Sequence, residues 1–159
     1  MNAVLTGFIG VAATLLGSFS TYLFQSRTAE RTQAFARDER LRQEQLNACS
    51  AFAGALTELK RGHITLWFHR QRDPAGADYQ AARIECDRLG ANAESARFRV
   101  QLVSDDSELM MLADSAFASI GSIDGASDRG ELQEHENRFE TAVKVFIRAA
   151  AERLRGAAS

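Results

Sequence analysis

Asp73-Pro74-Ala75-Gly76 and the segment after it, ADYQAARIECDRLGANAESARFRVQLV (Ala77–Val103), decide how this chain folds. Pro74 fixes its own φ and disfavours helix in the residue before it, and Gly76 accepts whatever dihedral closes a reversal, so the tetrapeptide reads as a turn. Beyond it Tyr79, Ala82, Cys86, Leu89, Ala93, Ala96, Val100 and Val103 recur at alternating spacings of three and four. That period keeps all of them on one helix face. Before the turn, Leu41, Ala48, Phe52, Ala55, Leu59, Gly62 and Leu66 form a second seam, flanked by Leu46, Cys49, Ala53 and Leu56. Two seams joined by a short turn make an antiparallel helical hairpin, and their alanines let the axes approach closely.

Towards the C-terminus, Asp105 with Glu108 and Asp128 with Glu131 have the spacing of capping boxes, each opening a helix. In the last helix Leu132, His135, Phe139, Ala142, Phe146 and Ala149 share a face that Val143, Ile147 and Leu154 widen, a stripe broad enough for a core. A single proline and abundant Ala, Leu, Arg and Glu leave few helix breakers, so the fold class is all-α. The expected organisation is a membrane helix over 1–26, a charged stalk over 27–45, and a bundle over 46–159. The bundle has four helices at about 46–72, 77–103, 105–120 and 128–155, in up-down-up-down order.

No charge interrupts residues 1–26, and 4–24 is nearly continuous apolar sequence, about the 20 residues that cross ~30 Å of hydrocarbon. This predicts a single transmembrane helix. A cleaved signal peptide is the rival reading, but no positive charge precedes the apolar run. Arg27, Arg31 and Arg37, followed by Arg40 and Arg42, stand on its C-terminal side as headgroup contacts, which places the N-terminus outside and the bundle in the cytoplasm. Ala3, Gly7, Gly10, Thr14, Gly17 and Thr21 lie on one face at a 3.5-residue period. Such a small-residue stripe predicts self-association of membrane helices, or the lining of a narrow pore.

Arginine outnumbers lysine seventeen to two, which with the alanine content reads as the composition of a GC-rich bacterial genome and points to a bacterial inner membrane. The net charge of −2 excludes the concentrated positive surface of a nucleic-acid binder. Cys49 and Cys86 have no C-x-x-C partner and read as buried thiols, with a disulfide between neighbouring helices as the alternative.

His63, His69 and His135 lack the Glu-x-x-His pairs of a di-iron bundle and any zinc spacing. His135, near Glu131, reads as a structural histidine. No nucleophile elbow, phosphate loop or complete calcium loop is present, so neither catalytic residues, metal ligands nor cofactor are assigned. The stretch 63–70 holds the single tryptophan, and its apolar residues are too consecutive to face one core. Trp67, Phe68 and Arg70 are therefore either a cap on the hairpin end or an anchor for a cytoplasmic protein partner. Together these features predict a non-enzymatic, membrane-anchored helical interaction or scaffold protein that contacts lipids and forms homo-oligomers. A small pore-forming protein is the alternative, and a membrane-tethered ligand or metal sensor the third reading.

Overall fold

The computed structural model describes the backbone of residues 2–156 and the side chains of 35–156. Four α-helices and no strand occur among the described residues: α1 (Asn2–Arg72), α2 (Ala77–Val103), α3 (Ser107–Ala118) and α4 (Arg129–Gly156), with one 3-10 turn, Ser119–Ser122, after α3. The chain divides into two compact units, Met1–Leu41 and Arg42–Ser159. In the first, the described side chains from Phe35 to Leu41 are all exposed.

The second unit is the bundle. The turn before α2 is held by the amide of Gly76 donating to the Asp73 carbonyl and that of Ala75 donating to the Asp73 carboxylate, both at 3.1 Å. Gly76 has an ordinary φ of −71°, so dihedral freedom is not why glycine stands there. A Cβ at this position would come within 2.7 Å of the Asp73 carboxylate that makes the turn. Gly62 acts similarly between helices: a Cβ there would meet Leu89 Cδ1 at 2.8 Å and Cys86 Cα at 3.7 Å, so α1 and α2 touch nearly backbone to backbone. The side-chain amide of Gln45 reaches the Val103 carbonyl at the far end of the same antiparallel pair.

α4 lies antiparallel to α1 on its other side. Phe52 and Phe146, both fully buried, meet edge to face at 5.3 Å, and Lys60 bonds Glu140 at 3.2 Å while standing over the Phe139 ring. Such an aromatic pair adds about 0.5–1.5 kcal/mol beyond its burial. α3 packs against both α2 and α4 and closes the ring of four. Asp106 caps it by accepting from the Leu109 amide at 2.9 Å and also takes the Arg153 guanidinium. The cap is thus Asp106, one residue later than the Asp105 spacing suggested. At α4, Asp128 accepts from the Glu131 amide, and Glu131 reaches back to the Ser127 amide.

Leu41 and Leu46, read from the sequence as seam residues, are about half exposed, and the buried face of α1 begins at Ala48. Both cysteines are free and buried. The placement of the chain requires a larger correction. Among the described residues no helix is long and apolar enough to cross a membrane. The expected single-pass anchor, with its N-terminus outside, a cytoplasmic bundle and a place in the bacterial inner membrane, is withdrawn on that finding. Spanning takes about 20 apolar residues in succession, whereas among the residues whose side chains are described the uncharged run 45–57 is bounded by Glu44 and Glu58 and turns one face to the core. The side chains of 4–24, the stripe Ala3, Gly7, Gly10, Thr14, Gly17 and Thr21, and those of Arg27 and Arg31 lie outside the described residues. Arg37 is exposed.

Candidate interaction surfaces

At the hairpin end of the bundle, α1 presents His63, Trp67 and Arg70 at spacings of four and three, hence on one face. All three reach the segment between the 3-10 turn and α4. His63 Nδ1 lies 2.9 Å from Asp124 Oδ1, Trp67 Nε1 donates to the Ala126 carbonyl at 2.7 Å, and Arg70 donates to the Asp124 carbonyl at 2.7 Å. From the other side His135 Nδ1 donates to the Ser122 carbonyl at 2.6 Å, its Nε2 standing 3.8 Å from Glu131. Ile123 and Ala126 are fully buried beneath these bonds. The group is a latch: four side chains satisfy the carbonyls and carboxylate of a connecting segment that makes few bonds with itself.

The latch absorbs two of the three residues singled out as a partner anchor. Trp67 is buried, and its ring packs edge to face on Phe68 at 5.0 Å. Phe68 is 45% exposed, with the Arg129 guanidinium 5.6 Å from its centroid. Sequence reading missed the His63–Asp124 and Arg70–Asp124 contacts. The four-and-three spacing of 63, 67 and 70 was the available signal, but only the fold names the segment it meets.

Two grooves open elsewhere on the bundle. One, of about 250 Å³, runs between α1 and α4 and is lined by Leu46, Cys49, Ala53, Phe146, Ile147 and Leu154 among others. Leu46 and Ile147 are each 47% exposed on its edge. The other, of about 550 Å³, lies beside α2 and is floored by Leu59, Cys86, Ile120 and Phe117. Burial pushes the Cys86 thiol up to about 11, with the carboxylates of Asp124, Asp87 and Glu85 adding to the shift; burial also raises Cys49. Neither cysteine is poised as a thiolate nucleophile. No three His, Cys, Asp or Glu side chains converge as a metal site among the described residues.

The KilB plasmid transfer protein family matches residues 46–154. The chain belongs to that family. The match falls inside the unit Arg42–Ser159, so the family's shared sequence is the bundle with its latch and both grooves. No curated protein and no solved structure matches the chain.

Proposed function

We propose that this chain is a non-catalytic helical docking module of bacterial plasmid transfer, which works by presenting the surface of its bundle to other proteins. Membership of the KilB plasmid transfer protein family supports the process. The observation that carries the mode of action is the character of the concave surfaces. They are lined mainly by apolar side chains between helices, joined by His63, Asp87 and Glu94 in one and by Ser50 in the other, and the thiol in each is held protonated. Helix faces with apolar floors and polar rims are the usual geometry of protein contact.

The test is plasmid transfer frequency in a donor strain whose own copy is deleted and replaced by a variant. Ile147→Glu in the α1/α4 groove and Ala91→Trp in the α2 groove alter exposed positions, and each is kept only if it melts like the wild type. Loss of a docking contact worth about 1.4 kcal/mol raises the dissociation constant tenfold, so with the partner limiting, transfer falls by up to about that factor for at least one variant. Wild-type transfer by every folded groove variant would refute the docking reading.

A further inference from the structure

The groove beside α2 exists because α3 is short. At ~1.5 Å per residue the 27 residues of α2 run about 40 Å and the 12 residues of α3 only about 18 Å. Arg97, stacked between Phe98 and Phe117 and bonded to Asp114 at 2.5 Å, ties the two helices together near the end of that overlap. Past Phe117 and Ala118 the chain turns away into the latch, and the opposite half of α2 has no helix in α3's place. Gly90 shows how empty that position is: a Cβ there would find only Leu59 Cδ1, at 4.0 Å.

The rim of this groove has one sign. Asp87 and Glu94, seven residues apart and so on one face of α2, border it, and no lysine or arginine lines it. Asp124 stands close enough for its charge to act on the Cys86 thiol, and its carboxylate is held by His63, which lines the groove. The concavity is open to solvent along its length, whereas a small-molecule site encloses most of its ligand. Shape and charge together fit a rod with an apolar stripe and positive flanks.

We infer that the groove beside α2 is the seat of a basic amphipathic helix of another protein, which lies in the position a longer α3 would occupy and sets its cations against Asp87 and Glu94. The inference rests on the docking reading above and adds the chemistry of the partner. Apolar residues of the incoming helix cover Leu59, Ile120 and Phe117, and carboxylates on the rim select it over acidic or neutral helices.

The experiment is a fluorescence anisotropy titration of the full chain with a labelled leucine/lysine amphipathic helix of about 15 residues, the length of α2 that α3 leaves uncovered. A leucine/glutamate helix of the same pattern is the comparison. The lysine helix binds at least about tenfold more tightly than the glutamate helix. Asp87→Lys with Glu94→Lys reverses the preference. Ala91→Trp and Ala118→Trp, which fill the groove from exposed positions without changing charge, weaken the lysine helix by a similar factor. Glu134→Lys and Glu152→Lys, exposed on α4 and outside the groove, leave binding unchanged. Equal binding of the two helices overturns the inference, as does equal weakening by the outside charge reversals, which marks diffuse attraction. If Ala91→Trp abolishes plasmid transfer while neither helix binds, the docking module stands and the basic partner is wrong.

Discussion

Replacing Trp67 with phenylalanine isolates one bond of the latch. The indole is 4% exposed and donates to the Ala126 carbonyl at 2.7 Å, next to the fully buried Ile123 and Ala126. Phenylalanine keeps an aromatic ring in the site but cannot donate, which leaves a buried carbonyl without its partner, a cost of about 1–3 kcal/mol. The smaller ring also leaves unfilled space, adding about 1 kcal/mol. The expected loss is therefore about 2–4 kcal/mol, a large fraction of the ~5–15 kcal/mol that holds a domain together. With a urea slope of roughly 2 kcal/mol/M this lowers the unfolding midpoint by about 1–2 M. Far-UV circular dichroism is the readout, because Trp67 is the chain's one tryptophan and its fluorescence disappears with it. Phe68→Ala, at the exposed neighbouring ring, costs about 1 kcal/mol or less. A Trp67→Phe loss under about 0.5 kcal/mol, the range of ordinary surface changes, would refute the latch and return the pair to consideration as a partner anchor.

Asp106, whose carboxyl is lowered first by the Arg153 hydrogen bond and then by the Leu109 amide, makes the bundle sensitive to acid. Its contribution is fully present above the unfolded value near 4 and is lost as pH falls through the lowered folded value; Asp106→Asn flattens that limb of an acid-unfolding curve, and an unchanged limb would rule the pair out as its cause. The Cys86 thiol, 5% exposed and with a pKa of about 11, carries roughly one thiolate in a thousand at pH 8. Its alkylation by iodoacetamide, followed by mass spectrometry in a Cys49→Ala background, should track unfolding; labelling of the native chain at a free thiol's rate contradicts the packing against Gly62. At Gly62 itself, alanine is close to neutral, because about 1 kcal/mol of helix propensity offsets the displacement of Leu89. Valine there costs about 1–3 kcal/mol by overpacking, and a Gly62→Val chain as stable as wild type in urea would show that the two helices are not in close contact.

The sequence by itself determined the local part of this protein. The absence of breakers, the three-and-four repeat from Tyr79 to Val103 and the Asp73–Gly76 turn are properties of neighbouring residues, and they specify an all-helical chain with a hairpin at its centre. Periodicity marked Phe52, Phe146, Ala93 and Val100 for burial because one helix face is legible without knowing what covers it. The same logic cannot say where a face ends: Leu46 and Ile147 continue an apolar stripe yet lie on a groove edge, since burial there depends on the width of the opposing helix. Hydropathy likewise registers a charge-free stretch without registering a bilayer, and the membrane placement inferred from it did not stand. Tertiary structure alone decided that His63, Trp67 and Arg70 converge on Asp124 and Ala126, more than fifty residues away. It also decided that a short α3 leaves half of α2 without a helix on its α3 side, although α1 still packs against it. Both are relations between segments remote along the chain, fixed by packing, and no local pattern encodes them.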